Sequence, residues 1–600
     1  MSFRRLNRIA ATVLATMVTM SCGQVYRPVV IPISTTPPNT QNFHAVFVLS
    51  SNTAFNVGAA FQIDVSGDSN IGQVSLGVNP THAAILPTNS RVFVASAGAN
   101  LCAGDTDLVT AFVPANDSSA GSGLGGAAIF SFPNVGPGTQ NSTITAISEV
   151  GNLVTVTLNA PLSGAAVGGF VTLTNVVIPG GGTNALSYNG CYAVTSVAGS
   201  TIQYVNPTPG LAATTGGAAA TPAFCSYFPD YVGTTQNTSV FVANYGAEND
   251  PNCSHASTDS VALLSTTSNT ITNIQYLPAG THPVALAETP NQQFLYVLEQ
   301  GTDSVAVLSP VDLSSMTATP IAVGKQPAWI AVRPDGQRVY VVTEGDGQLY
   351  TIRTDTNTVV ANQPVGGAGA NYVLYDSPRN RLYVTNPTAG AVYVFDATTD
   401  PPTPVLSGTV SIPAPPPCAT AAAGSCGPVT PSGVTTLLDG SRFYVASYVT
   451  VPTGVACLDG TVTAAGCVIP QVTVFDAESL TVKSTVFPLF VNGTATSGFA
   501  AAPNAACLPA APPASYVPAA AMPRFRIFAA SAEDGSHVYA SICDAGMIAD
   551  IDTSTSSISY TGTNTPDSLV SDIAAPFGAA GIGSNGQPLP QNPTFMLTGQ

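Results

Sequence analysis

The chain repeats a hairpin made of two short apolar runs joined by a small polar turn. In "RLYVTNPTAGAVYVFDAT" (381–398), hydrophobic positions alternate with small or polar positions on both sides of the turn. A close copy, "RVYVVTEGDGQLYTIRTDT", begins 43 residues earlier. Alternation with a period of two predicts half-buried β-strands. Because one hairpin cannot bury both of its faces, the pattern predicts several copies that pack on one another.

Eight copies of this hairpin occur, each centred on an aromatic residue. The closest intervals are 44 residues (Tyr296 to Tyr340) and 43 residues (Tyr340 to Tyr383). The eight central residues are Phe47, Phe93, Phe241, Tyr296, Tyr340, Tyr383, Tyr444 and Tyr539. Most copies have an apolar run upstream, such as "PAWIAVRPDGQ", and a fourth run downstream, such as "TVVANQPVG". Four short strands in each unit predict the blade of a β-propeller.

The predicted fold class is therefore all-β, a propeller of seven to eight four-stranded blades. It is expected to cover 43–140 and 217–577, with 578–600 as a C-terminal tail. The first copy lacks its innermost strand. The run "TPDSLVSDIA" (565–574) resembles such a strand and is expected to pair beside Phe47. Closure of the ring by both ends of the chain would remove the open sheet edges.

The motifs "RLYVTN" and "RVYVVT", with the preceding "PDGQ", resemble the YVTN-type bacterial propeller repeat, a family frequent among secreted proteins. The resemblance implies the fold and says little about activity, because one fold supports many functions. Family members commonly have seven blades, whereas eight copies are counted here. Between 141 and 216, runs such as "GNLVTVTL" and "NGCYAVTSVAG" predict an inserted small β-barrel. It resembles a module of secreted and surface proteins that serves assembly or adhesion.

The N-terminus predicts export from the cytoplasm. A basic "MSFRRLNR", an apolar "IAATVLATMVTM" and "TMSCG" resemble a bacterial lipoprotein signal, with plain secretion as the alternative. The expected parts are a signal peptide (1–21), lipidation at Cys22 and a Pro/Thr-rich tether (22–42). We therefore expect an extracytoplasmic protein of the cell envelope that meets the membrane only through an N-terminal lipid. The net charge of −17 would repel phosphate backbones, so nucleic acid is not an expected partner.

Ten cysteines follow Cys22, and in an oxidising compartment this even number predicts disulfide bonds. Proximity favours Cys457 with Cys467 and Cys418 with Cys426, while other connectivities stay open. The sequence has no metal-finger spacing, paired-histidine motif or haem-attachment motif. We accordingly predict no metal site, no cofactor and no catalytic residue.

Long insertions fall in connections that share one rim of a propeller, namely those between second and third strands and those between blades. This insertion-rich, disulfide-bearing rim is the expected working face, because binding residues collect on loops held by rigid scaffolds. The alternative is that disulfides only tie down long loops there.

Counting from the proline that leads most first strands gives one equivalent position per blade. The residues at that position are Ser568, His82, Tyr231, Ala285, Trp329, Val373, Gly433 and Phe528. The large side chains His82, Tyr231, Trp329 and Phe528 are candidate binding residues that would line a mouth and stack on a sugar or peptide. Packing between blades is the alternative interpretation.

The favoured function is that of a lipid-anchored binding or scaffold protein, which recognises an envelope protein or polysaccharide through the insertion-rich rim. The alternative is a hydrolase that resembles the bacterial seven-bladed lactonases and uses the axial mouth. That resemblance implies a convergent His/Arg/Glu group or metal-binding carboxylates. Arg333 is the only arginine in the aligned Pro-led inner-strand runs, and no acid–base partner can be assigned to it. An electron-transfer propeller is a third possibility without a supporting motif.

Overall fold

The computed structural model describes residues within one compact unit, Phe43–Gln600. The described residues are 45–51, 57–65, 69–97, 108–115, 124–132, 141–167, 170–177, 188, 190–205, 211–221, 227–246, 255, 257–419, 426–458, 462, 466–488, 490–491, 494–495, 507, 525–554, 566–575, 577–582, 588–590 and 592–599. The predicted signal peptide, Cys22 and the tether lie outside them. Within this part of the chain, no helix is long and apolar enough to cross a membrane.

Strands account for nearly all of the regular structure, as the period-two pattern predicts. The first two blades and the inserted segment contain β1 (Ala45–Ser51), β2 (Val57–Asp64), β3 (Ser69–Val78), β4 (Pro80–Ile85), β5 (Val92–Ser96), β6 (Leu108–Val113), β7 (Gly125–Ser131), β8 (Asn141–Val150), β9 (Leu153–Leu158), β10 (Phe170–Thr174), β11 (Gly190–Ala198), β12 (Thr201–Val205) and β13 (Ala218–Ala220). Strands β8–β13 form a closed barrel in the order β10-β11-β12-β9-β8-β13.

The next four blades follow one another without an inserted domain. Their strands are β14 (Pro229–Gly233), β15 (Ser239–Asn244), β16 (Ser260–Ser265), β17 (Thr270–Tyr276), β18 (Pro283–Glu288), β19 (Leu295–Glu299), β20 (Ser304–Leu308), β21 (Ile321–Ala322), β22 (Pro327–Val332), β23 (Arg338–Thr343), β24 (Gln348–Arg353), β25 (Thr358–Pro364), β26 (Tyr372–Asp376), β27 (Arg381–Asn386), β28 (Ala391–Asp396) and β29 (Thr403–Ser411). A 3₁₀-helix (Gln300–Thr302) joins β19 to β20.

The last blades carry longer connections. They contain α1 (Pro416–Ala419), β30 (Thr430–Thr436), β31 (Arg442–Val451), β32 (Cys467–Asp476), β33 (Val482–Val486), β34 (Phe490–Val491), β35 (Thr494–Ala495), β36 (Ile527–Ser531), β37 (His537–Ile542), a 3₁₀-helix (Cys543–Ala545), β38 (Met547–Asp552), β39 (Ser568–Ala574), β40 (Phe577–Ile582), β41 (Pro588–Pro590) and β42 (Asn592–Thr598). The β34–β35 and β40–β41 pairs are separate two-stranded sheets.

Eight four-stranded antiparallel sheets form the blades, which confirms the predicted propeller. The innermost strands are β42, β4, β14, β18, β22, β26, β30 and β36. Each of them contacts the next, and β36 contacts β42, so the ring is closed. The central aromatic residue of each hairpin is at most 1% exposed, because neighbouring blades cover both of its faces.

The closing strand differs from the predicted one. The run 565–574 contributes β39, the outer strand of the last blade, which pairs with β38. The inner strand of the first blade is β42, which pairs with β1 and places Leu597 opposite Phe47. The segment 578–600 is therefore not a tail outside the propeller, because it contains the strand that completes the ring. Its sequence "NPTFMLTG" shares the Pro-Thr-aromatic start of "PTHAAI" in β4. The sequence therefore contains a signal for this inner strand.

Because the strands of a blade alternate in direction, their connections lie on two rims. We call the rim with second-to-third-strand and between-blade connections the long-connection rim. The opposite, short-turn rim carries the turns between first and second strands, such as the five residues between β22 and β23. Disulfide bonds are present as predicted. Those between described cysteines lie on the long-connection rim and are Cys418–Cys426, Cys457–Cys467 and Cys507–Cys543. The first two are the pairs expected from proximity in the sequence.

Candidate functional site

A cavity of about 730 Å³ lies on the axis of the propeller, between the inner strands. Every inner strand except β18 contributes to its lining. The lining extends from His82 and Trp329, near the starts of their strands, to Leu438 and Glu533 in the turns that follow β30 and β36. Both turn residues are exposed. The cavity therefore opens on the short-turn rim, opposite the insertion-rich rim expected to be the working face.

Six aromatic side chains form a closed ring at the inner end of this cavity, and we call this ring the aromatic floor. In order around the axis, the distances between ring centroids are His82–Tyr231 3.7 Å, Tyr231–Trp329 5.5 Å, Trp329–Tyr372 4.9 Å, Tyr372–Phe528 5.8 Å, Phe528–Phe595 5.0 Å and Phe595–His82 4.6 Å. These separations are those of stacked and edge-to-face aromatic pairs. Phe525 packs against four of these rings without lining the cavity.

A β-bulge after the leading proline aims several of these side chains at the axis. The register of β4 shifts between Pro80 and His82, and that of β22 shifts between Pro327 and Trp329. Such a bulge bends the strand and re-aims the residue that follows it. Gly433 leaves room for a neighbour, because a Cβ there would lie 2.9 Å from the Phe528 ring.

The structure brings together the four candidate binding residues His82, Tyr231, Trp329 and Phe528. In two other blades it places a different residue at the equivalent position from the one expected. Opposite the equivalent residue of the second strand, β26 carries Tyr372 rather than Val373, because β26 has neither a leading proline nor a bulge. In the first blade the equivalent residue is Phe595 of β42, opposite Leu49. Ser568, assigned to that position from the sequence, begins the outer strand β39. Phe525 precedes β36, where strand counting cannot find it.

His82 is held as a neutral imidazole within the floor. Its Nδ1 lies 3.0 Å from the carbonyl oxygen of Val232 in the next blade. Burial lowers the pKa of His82 to about 3, against a smaller opposing effect of that hydrogen bond. Because a carbonyl oxygen only accepts, Nδ1 carries the proton and donates it. Nε2 therefore presents a lone pair.

Three potential hydrogen-bond donors share the floor with His82. Burial raises the pKa values of Tyr231 and Tyr372, so both hydroxyls keep their protons at neutral pH. The third donor is Nε1 of Trp329. Within the described part of the chain, no hydrogen bond is formed by either hydroxyl or by this indole nitrogen. Tyrosine and tryptophan usually have a partner when they are buried, so these groups are available to a bound molecule.

A second pocket of about 440 Å³ adjoins the mouth of the axial cavity and shares the Tyr375 side chain with it. Arg333 lies here, in the turn after β22. Its partner is Asp335 of the same turn, with 2.8 Å between Nη2 and Oδ2. Arg333 is therefore placed on the short-turn rim. Among the described residues, no three His, Cys, Asp or Glu side chains form a group that could hold a metal ion.

Comparisons with known proteins point to propellers. The family model "Lactonase, 7-bladed beta-propeller" matches residues 311–417, which include Trp329 and Tyr372 of the floor. No curated protein matches the chain by sequence.

Several solved structures resemble the chain at low sequence identity. The periplasmic gluconolactonase of Pseudomonas aeruginosa is 14% identical, with 74% of this chain and 95% of that chain covered and a TM-score of 0.41. A putative 6-phosphogluconolactonase of Bacteroides fragilis is 10% identical, with coverages of 94% and 100% and a TM-score of 0.38. A dihydro-heme d1 dehydrogenase, NirN, is 10% identical, with coverages of 92% and 74% and a TM-score of 0.45. The chain is an all-β propeller, and one segment of it is similar to the lactonase propeller family.

Proposed function

We propose that the protein binds a small cyclic ester in the axial cavity and hydrolyses it, as a lactonase-like propeller. The observation that carries the proposal is the cavity itself, closed at one end by the aromatic floor and open at the other. Its volume lies within the range of roughly 300–1,000 Å³ that is usual for small-molecule sites. The family match over 311–417 favours a cyclic ester as the class of substrate. The same match supports this hydrolase over the binding or scaffold role.

The cavity offers different chemistry at its two ends. Aromatic faces at the floor pack against a ring, and the polar atoms of the floor hydrogen-bond to it. Glu533 lines the cavity from the short turn after β36 and is the only carboxylate in its described lining. We assign Glu533 as the general base. It takes a proton from a water molecule as the water oxygen attacks the ester carbonyl, and returns that proton to the ring oxygen when the C–O bond breaks.

Hydrolysis of lactones by the purified full chain tests this proposal. We expect turnover above the spontaneous rate in a pH-stat assay. Glu533→Gln should lower kcat at least 100-fold, since a positioned base contributes roughly 10²–10⁴. Glu478→Gln is the matched control, because Glu478 is exposed, pairs with Arg379 and does not line the cavity. Absence of turnover with all lactones, or an unchanged rate in Glu533→Gln, would contradict the proposal.

The inserted barrel favours a second function, binding of an envelope protein or polysaccharide on the long-connection rim. Several valines of the barrel segment are highly exposed, including Val150 (82%), Val177 (73%) and Val167 (67%). Exposed apolar side chains on an inserted domain are candidates for contact with another molecule. Immobilised full chain should retain purified cell-wall polysaccharide or a defined set of envelope proteins. A variant without 141–216 should lose that capture while keeping lactone turnover. Attachment through Cys22 remains a prediction.

A further inference from the structure

We propose that His82 determines the ligand specificity of the axial cavity, because its Nε2 accepts a hydrogen bond from a hydroxyl group of the bound ring. The identity of the ligand as an ester rests on the proposed function. Recognition of the ring and its hydroxyls rests only on the floor, so the two can be tested separately.

The first step is that His82 offers an acceptor. The 3.0 Å contact between Nδ1 and the Val232 carbonyl oxygen assigns the proton to Nδ1. Stacking at 3.7 Å on Tyr231 and packing at 4.6 Å against Phe595 hold the plane of the imidazole. No second hydrogen bond of His82 occurs within the described residues, and the side chain lines the cavity. Nε2 is thus a fixed acceptor at the floor.

The second step is that the rest of the floor offers donors. The Tyr231 and Tyr372 hydroxyls and Trp329 Nε1 can each donate to an oxygen atom of a ligand. A purely hydrocarbon ring would bury Nε2 and these donors without partners, which costs about 1–3 kcal/mol for each group. A ring that carries both hydroxyl groups and ether or ester oxygens satisfies them. The acceptor and the donors of the floor therefore discriminate between ligands by chemistry as well as by size.

The third step separates recognition from catalysis. An imidazole whose pKa is lowered to about 3 by burial is a weak base at neutral pH. It accepts a hydrogen bond from a hydroxyl without removing the proton. His82 is therefore a positioning residue that orients the ring, and the general base is placed at the mouth on Glu533.

Fluorescence of Trp329, the only tryptophan of the chain, reports binding at this floor directly. The probes are 1,5-anhydro-D-glucitol, a hydroxylated six-membered ring without an ester, and tetrahydropyran, the same ring without hydroxyls. The full chain should bind the hydroxylated ring at least tenfold more tightly. His82→Phe, which keeps the aromatic stacking, should weaken that probe about fivefold and leave tetrahydropyran within twofold.

Phe528→Leu is the matched control, because it removes an apolar wall of the floor and should weaken both probes alike. A second measurement needs no variant. In the ¹⁵N spectrum of the wild-type chain, the non-protonated Nε2 resonance of His82 should move upfield when 1,5-anhydro-D-glucitol saturates the site. The inference is overturned if the wild type does not prefer the hydroxylated ring, if His82→Phe weakens both probes equally, or if Nε2 does not shift.

The two proposals fail in different ways. Selective binding that depends on His82, without hydrolysis of any lactone, would support the inference and refute the hydrolase. Hydrolysis of unsubstituted lactones without preference for hydroxylated rings would support the hydrolase and refute the inference.

Discussion

The carboxyl group of Asp230 should make the stability of the propeller depend on pH. Asp230 lies in β14 and is 2% exposed. Neither of its carboxyl oxygens has a hydrogen-bond partner among the described residues. Burial raises its pKa to about 8. We predict that Asp230→Asn, which keeps the size and removes the ionisation, stabilises the protein increasingly as the pH rises towards 8.

The position of Asp230 explains why it is buried. It occupies the bulge between Pro229 and Tyr231. At the same position in two other blades, hydroxyl groups point at the next inner strand and donate to its carbonyl oxygens. Thr81 donates to Pro229, and Ser432 donates to Ile527. The bulge position thus faces the neighbouring blade, where a neutral donor fits and a charged carboxylate does not.

The magnitude follows from the difference between the two pKa values. Below about pH 4, the carboxyl of Asp230 is protonated in both the folded and the unfolded chain. Between about pH 4 and pH 8, only the folded state retains the proton, so the free energy of unfolding falls by about 1.4 kcal/mol per pH unit. From pH 5 to pH 8 this amounts to about 4 kcal/mol. Above pH 8 the dependence flattens, because the folded state also loses the proton.

Thermal unfolding at pH 5, 6, 7, 8 and 9 measures the effect. A chain of this size has an unfolding entropy on the order of 1 kcal/mol/K, so the Tm gap between Asp230→Asn and wild type should widen by about 3–4 °C from pH 5 to pH 8. Asp312→Asn is the control, because hydrogen bonds from Ser314 lower the pKa of this surface carboxyl and it titrates below that range. A gap that stays constant from pH 5 to pH 9 would refute the reasoning.

Three further changes test the ring and its rim. Replacing Cys507 and Cys543 with serine should lower the free energy of unfolding by about 4 kcal/mol in urea titrations, because their bond closes a loop of 36 residues. Equal stability of the wild-type chain with and without reductant would contradict this. Deleting 591–600 removes β42 and should yield insoluble or aggregated chain in gel filtration, whereas deleting only residue 600 should not. Gly433→Ala should cost about 1–3 kcal/mol by pushing on the Phe528 ring, and an unchanged Tm would argue against that contact.

Much of the fold could be predicted because each blade is a local unit. The hairpin around Tyr340 or Tyr383 pairs residues that are close in sequence, so its period and its aromatic centre are visible in the chain. The first blade is different, because β1 pairs with β42 at the other end of the chain. The local sequence only weakly determines which distant strand pairs with β1. The run 565–574 resembles an inner strand and so predicts the wrong partner for β1, because it forms the outer strand β39.

The candidate site could be predicted mainly where a proline marks the strand, and Phe528, which lies two residues after Arg526 rather than after a proline, is the exception. Counting from proline identified His82, Tyr231 and Trp329, because in these strands the bulge lies between the proline and the ring. It missed Tyr372, whose strand lacks that proline. The location of the mouth could not be read from loop length. Long insertions show where the fold tolerates extra chain, whereas the cavity opens where the turns are short and leave the axis uncovered.

Eight blades also explain why one end of the axis is closed by aromatic rings. Eight inner strands surround a wide channel, and two of them contribute only Ala285 and Gly433 at the level of the floor. The other six contribute the rings, and the space at Gly433 is taken by Phe528 from the adjacent strand. The floor thus separates the axial cavity from the long-connection rim. A small molecule that enters from the short-turn rim and a macromolecule that binds the disulfide-bearing rim would occupy opposite faces, so the two proposed functions do not compete for one surface.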